Sequence, residues 1–209
     1  MKKFFIYFIV NLDFSLTAFS QNDAKPQPEK DWHYSASAYY YFVPGDKNSV
    51  SITSYADYKK LHLEGRYNYE DRNTGSVFVG WTFEKNGNVY FAATPMIGGV
   101  FGNTNGVAPG LELELSYKKF EYSSETEYVI DFSGSENNFF YAWGEFGFNA
   151  TNNLQLGLSY QKTKLYQAEF NIQRGPFVKY SFWKLTAGVY YFNPFASDGL
   201  AIGMVTIDF

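Results

Sequence analysis

Five glutamates, Glu112, Glu114, Glu121, Glu125 and Glu127, lie on two successive stretches that alternate polar and apolar residues. Side chains two apart on an extended strand point the same way. Glu112 and Glu114 therefore share one face, and Glu121, Glu125 and Glu127 share another. A turn at Lys118-Lys119 folds the two stretches into a hairpin and brings these carboxylates onto one wall. Glu64, Glu84 and Glu145 occupy the polar face of other such stretches, and the visible cations are Arg66, Lys118 and Lys179. A wall of carboxylates raises the local concentration of cations where water fills the space beside it. In a dry interior the same groups are costly unless basic partners meet them. The excess of acids over bases points to a water-filled, cation-favouring passage lined by Glu64, Arg66, Glu112, Glu114, Glu125, Glu127 and Glu145. The competing arrangement is an interior plugged by its own side chains, with Glu–Arg and Glu–Lys contacts that are structural.

Other chemistry finds little support. The spacing of the glutamates matches no loop pattern of metal ligands, so no metal site is expected. The histidines are His33 and His62. His62 and Glu64 could pair as acid and base, but residues two apart on one strand are neighbours in any sheet, so both histidines read as structural. No catalytic residue and no cofactor is assigned. Gly98-Gly99-Val100-Phe101-Gly102 lacks the Lys-Ser/Thr and the helix of a phosphate loop and reads as a flexible rim segment. Cysteine is absent, which excludes disulfide staples and thiolate metal sites. A formal net charge of −4 argues against a nucleic-acid partner.

The elements that must position these residues are strands. Tyr, Phe and Trp make up 22% of the chain and charged residues only 18%, and no apolar run after the first twenty positions is long enough for a membrane helix. The alternation predicts an all-β fold, a single antiparallel transmembrane β-barrel over 33–209. Twelve strands are expected, at about 33–43, 49–58, 60–70, 74–84, 88–98, 107–118, 120–131, 138–148, 153–163, 174–182, 184–193 and 199–209. An even count puts both termini on one side, taken as periplasmic. Tight turns at 58–60, 85–88, 118–119, 150–153 and 183–184 fall on that side. Longer loops at 44–48, 71–74, 99–106, 132–137, 164–173 and 194–198 fall on the other. Ahead of the barrel, Lys2, Lys3, an apolar core and Ala18-Phe19-Ser20 read as a signal peptide over 1–20, cleaved after Ser20. A polar, disordered periplasmic leader over 21–32 follows.

Aromatics support a lipid-facing exterior. Trp81, Phe83, Phe91, Tyr117, Phe120, Phe148, Phe182 and Phe209 fall near one end of the strands, and Tyr40, Phe42, Tyr67, Tyr69, Tyr128 and Tyr191 near the other. Two such rings are the interfacial girdles of a membrane barrel. Pro109 and Pro176 sit near strand starts, whereas Pro95 lies inside a strand and calls for a bulge. The loop within the Pro95 to Pro109 stretch is expected to fold partly inward.

The signal peptide, the alternating strands and the closing face of Val205, Ile207 and Phe209 resemble Gram-negative outer-membrane β-barrels. That resemblance implies an outer-membrane location, lipid and lipopolysaccharide around the barrel, and assembly machinery that reads the last strand. A closer likeness is to a group of small Bacteroidetes-type outer-membrane barrels. It is carried by Leu63-Glu64-Gly65-Arg66-Tyr67-Asn68-Tyr69-Glu70, Thr94-Pro95-Met96-Ile97-Gly98-Gly99-Val100, Ser116-Tyr117-Lys118-Lys119-Phe120-Glu121 and Asn137-Asn138-Phe139-Phe140-Tyr141-Ala142-Trp143. The group implies the fold and no substrate. Twelve-stranded barrels also include acidic-sugar and nucleoside channels, and an acidic wall disfavours an anionic sugar. The expected function is a passive, porin-like channel for small solutes, not an enzyme. The alternatives are a non-conducting structural or assembly barrel, favoured by the apolar inward residues Leu200, Ile202 and Met204, and then a lipid-modifying enzyme.

Overall fold

The computed structural model describes residues 32–45, 47–162, 172–196 and 199–209. The expected signal peptide, its cleavage point, the leader up to residue 31 and nearly all of the 164–173 loop lie outside them. The strands are β1 (His33–Phe42), β2 (Ser49–Tyr58), β3 (Leu61–Tyr67), β4 (Thr74–Trp81), β5 (Phe83–Lys85), β6 (Tyr90–Gly102) and β7 (Gly106–Tyr117). They continue as β8 (Phe120–Asp131), β9 (Phe139–Asn149), β10 (Leu154–Lys162), β11 (Gln173–Phe182), β12 (Leu185–Phe192) and β13 (Leu200–Asp208). Each pairs antiparallel with its sequence neighbour, β1 pairs with β13, and β4 and β5 both pair with β6. β4 and β5 are two pieces of one stave, so the sheet closes as a twelve-strand up-and-down barrel.

Pro95 explains why that stave is split. The register between β4 and β6 runs from Thr74 opposite Gly102 to Gly80 opposite Met96, and resumes between β5 and β6 at Phe83 opposite Ala93. Only the pairs at Trp81 and Thr82 are missing, where Pro95 has no N–H to offer. The register is identical on both sides of the gap, so the expected bulge is absent. On its other side Pro95 pairs in register with Leu111, and Ile97 with Pro109. The Pro95 to Pro109 stretch is therefore paired strand except at residues 103–105, where Thr104 is buried and its hydroxyl donates to Asp71 Oδ2 at 2.9 Å. The expected 99–106 connection shrinks to residues 103–105.

Gly98, read as part of a flexible rim, lies within β6 for a packing reason. A Cβ there would stand 2.5 Å from the ring of Phe78, so only glycine lets that ring lie flat on the wall. Strand β3 also ends earlier than its alternation suggests. Asn68 takes a left-handed φ of 55° and breaks the phase, so Tyr69 and Glu70 both turn inward. Tyr69 is consequently buried and does not belong to the outer aromatic ring. Lys118 likewise has φ 57° in the β7–β8 turn, and its ammonium lies 5.1 Å from the Tyr117 ring and not on the lumen wall.

The remaining aromatics of both girdles are exposed on the outward face, along with Val77, Val79, Ile97, Leu156, Leu158 and Val189. Outward apolar and inward polar side chains invert the arrangement of a soluble barrel and suit lipid as the surrounding solvent. Phe209 is on this outward face, and its amide donates to Tyr34 O at 2.9 Å, which fastens the last strand onto β1.

Candidate functional site

The lumen has two unlike halves. In the half towards the long loops, one contiguous cluster of buried residues reaches from Tyr41 on β1 through Phe78, Met96 and Val129 to Tyr141, Trp143, Phe177, Tyr190, Phe192 and Ile202. Trp143 on β9 meets Tyr39 on β1, on nearly opposite walls, with ring centroids 5.9 Å apart. Trp143 also packs edge-on against Tyr190 at 5.2 Å and Phe192 at 5.5 Å. Leu200, Ile202 and Met204, the apolar inward face of the closing strand, complete this plug.

Set into the plug is an ion cluster centred on Arg66, whose side chain is fully buried. Its Nη2 lies 2.6 Å from Glu64 Oε2, and its Nη1 lies 2.5 Å from Glu125 Oε1, 3.1 Å from Glu127 Oε2 and 3.4 Å from Glu70 Oε1. The guanidinium stacks 4.1 Å from the Phe78 ring and 4.9 Å from that of Tyr69. Neutral donors share the load: the Tyr69 hydroxyl donates to Glu125 Oε2 at 2.9 Å, and Ser76 Oγ donates to Glu70 Oε1 at 2.5 Å. A planar, fully delocalised cation suits this role, because its fork of donors can meet several carboxylates at once. Four acids around one base still leave the cluster formally anionic.

Glu145 forms a second node. Lys179 Nζ pairs with its Oε2, while the Tyr190 hydroxyl and Trp143 Nε1 donate to its Oε1 at 2.7 and 3.1 Å. Below this node, towards the termini, the lumen opens into a cavity of about 300 Å³. Glu114, Ser116, Glu121, Ser123, Glu145, Gly147, Gln155 and Lys179 line it. Small inward side chains leave this space, and Gln155 and Asn149 hold Glu121 on the wall, each at 2.7 Å.

Between the two halves, His62, Glu64 and Glu112 bring one ligand-type atom each to within 4.8 Å of one another. His62 Nδ1 meets Asp57 Oδ1 at 2.7 Å, whereas its Nε2 is 3.8 Å from both Glu64 Oε2 and Glu112 Oε2. The closest partner of His62 is therefore Asp57 on β2, not Glu64. Asp57 stands opposite His62 in the β2–β3 register, and counting back across the Lys59-Lys60 turn reveals it.

The seven residues read as lining the lumen all point inward, but they divide. Glu64, Arg66, Glu125 and Glu127 meet in the plug, Glu145 caps it, and Glu114 faces the cavity. Glu112 faces His62. Tyr69 and Glu70 join the Arg66 cluster although the alternation of β3 gave Tyr69 to the outside.

No protein-family model matches the chain, and no curated protein matches it. Among solved structures the chain is similar to the KdgM porin, with a TM-score of 0.63 over 84% of this chain and 99% of that one, at 13% identity. The two share the fold of an up-and-down β-barrel. Omp33 of Acinetobacter baumannii superposes with a TM-score of 0.52 over 88% of this chain and 100% of its own, at 11% identity. Both matches span nearly the whole of the other chain, and at such identities the likeness concerns architecture.

Proposed function

We propose that the protein is a narrow, porin-like channel of a bacterial outer membrane that favours small cations. The observation that carries this reading is the continuous acidic wall running from the open cavity to the Arg66 cluster, with Glu114 and Glu121 at its mouth and Glu112, Glu125 and Glu127 farther in. Carboxylates in a low-dielectric wall attract and concentrate cations. On this reading the Arg66 cluster is the constriction, the termini face the periplasm, and the long loops face outward. Membrane lipid and lipopolysaccharide surround the apolar belt, and assembly machinery engages the outward face of Val205, Ile207 and Phe209.

Planar-bilayer recording of the refolded protein tests the proposal. Small steps with a cation-selective reversal potential are expected, and anion preference would overturn the selectivity. A second reading, a non-conducting barrel, is supported by the aromatic contact between Tyr39 and Trp143 across the lumen. Absence of any step above leak from folded protein would favour it. Among the described residues an enzymatic reading has only the His62–Asp57 pair to draw on, with no serine or threonine hydroxyl hydrogen-bonded to that histidine.

A further inference from the structure

We propose that His62, Glu64 and Glu112 form an intraluminal binding site for a divalent transition-metal ion, Zn²⁺ by its ligand set, with Asp57 orienting the histidine. The hydrogen bond behind the ring sets its tautomer. Asp57 Oδ1 accepts a 2.7 Å hydrogen bond from His62 Nδ1, so the neutral ring presents the lone pair of Nε2. A carboxylate behind a histidine in this way is the usual support of a metal-bound imidazole.

Nε2 in turn faces two carboxylates. His62 is buried, and Nε2 has no hydrogen-bond partner. It stands 3.8 Å from one oxygen of Glu64 and 3.8 Å from one of Glu112, too far for hydrogen bonds. Nitrogen and oxygen ligands at about 2.0–2.1 Å from a tetrahedral Zn²⁺ lie roughly 3.3 Å apart. Each His62–glutamate separation therefore needs to close by about half an ångström to meet an ion, and the two glutamate oxygens already lie within 4.8 Å of each other. One nitrogen and two carboxylates suit Zn²⁺ and leave its fourth position for water.

Space and charge agree. β3 and β7 are separated by the stave of β4 and β5 and by β6. At this height those strands present Gly80, opposite His62, and Thr94, opposite Glu112. With no side chain at Gly80, His62 and Glu112 reach each other over the wall. Among the described residues Glu112 meets no Lys or Arg, and His62 is its only basic neighbour within 4 Å. A bound dication would supply the missing positive charge. The Glu112 side chain is 28% exposed, and the next inward residue on β7, Glu114, lines the cavity, so an ion has a wet acidic route to the site.

The test uses the folded barrel in detergent after treatment with a chelator, titrated with ZnCl2 by calorimetry and with CoCl2 by visible absorption. One Zn²⁺ per chain is expected, together with the absorption bands of Co²⁺ in a low-coordinate nitrogen–oxygen site, bleached by added Zn²⁺. His62→Ala and Glu112→Gln should each weaken binding by at least about 100-fold, and Asp57→Asn by about 10–100-fold. His33→Ala should leave it unchanged. Heat-dependent gel migration reports whether each variant is folded. Glu112→Gln, at a partly exposed side chain, decides the matter should His62→Ala fail to fold. No binding tighter than millimolar, or stoichiometric binding retained by folded Glu112→Gln, would overturn the site. Binding is read without any conductance, so its outcome is separate from that of the channel proposal.

Discussion

The two halves of the lumen share one alternating pattern and one barrel, yet the loop-side half is filled and the terminus-side half holds water-sized space. The difference lies in the volume of the inward side chains. Tyr141, Trp143, Phe177, Tyr190 and Phe192 fill the first half, whereas Ser116, Ser123 and Gly147 leave the second open. The ionisable groups follow the same division. Around Arg66 they are buried and interlocked, with four carboxylates on one guanidinium. In the cavity Glu114 and Glu121 are exposed, and Glu121 is held by amides. Periodicity thus says which way a residue points, while side-chain volume and cross-lumen pairing decide between plug and vestibule.

The sharpest way to break this contrast is to remove the central cation. Arg66→Leu strands Glu64, Glu70, Glu125 and Glu127 in a buried site. It should cost about 3–5 kcal/mol of stability, measured by urea unfolding of the reconstituted barrel. Trp143→Ala empties the middle of the plug. A loss of about 3–5 kcal/mol is expected, and single-channel recording should show a several-fold larger conductance if the plug is what limits passage. Gly98→Ala pushes a methyl group into Phe78, the ring beneath Arg66. Overpacking of that kind should cost about 1–3 kcal/mol, again read by urea unfolding. The smallest effect belongs to the open half. Glu121→Gln should change stability by no more than about 0.5 kcal/mol, while reversal potentials move towards lower cation preference. A large loss of stability there would show that the vestibule is as tightly interlocked as the plug.

Much of this was legible along the chain. The alternation of β3, β7 and β10 placed Leu61, Leu113 and Leu156 outside and their polar neighbours inside. The turns at Lys118-Lys119 and Trp183-Lys184 set hairpins in the register that the barrel shows. Legibility failed where a single backbone event overrode the period. Asn68 reverses Tyr69 through one left-handed φ, and Lys118 leaves the lumen for the same reason. Pro95 was read as a bulge because its missing amide was visible and its neighbour was not. Only the β6 pairing shows that the strand beside it gives way instead. The His62 site was hidden for a different reason. Its ligand Glu112 lies on a strand three staves away from His62, and no spacing along the chain encodes that approach.

By itself the sequence determined the strand class, the inward and outward faces, and the acidic character of the interior. Those follow from local rules, the two-residue period of a strand and the turn residues between strands. Only the tertiary structure decided which inward groups meet. Closing the sheet through β1 and β13 fixes which staves face each other, and that choice puts Trp143 against Tyr39, Glu127 on Arg66, and Glu112 beside His62. Contacts across a lumen depend on strand number and stagger around the whole barrel, and no local stretch of chain carries that information.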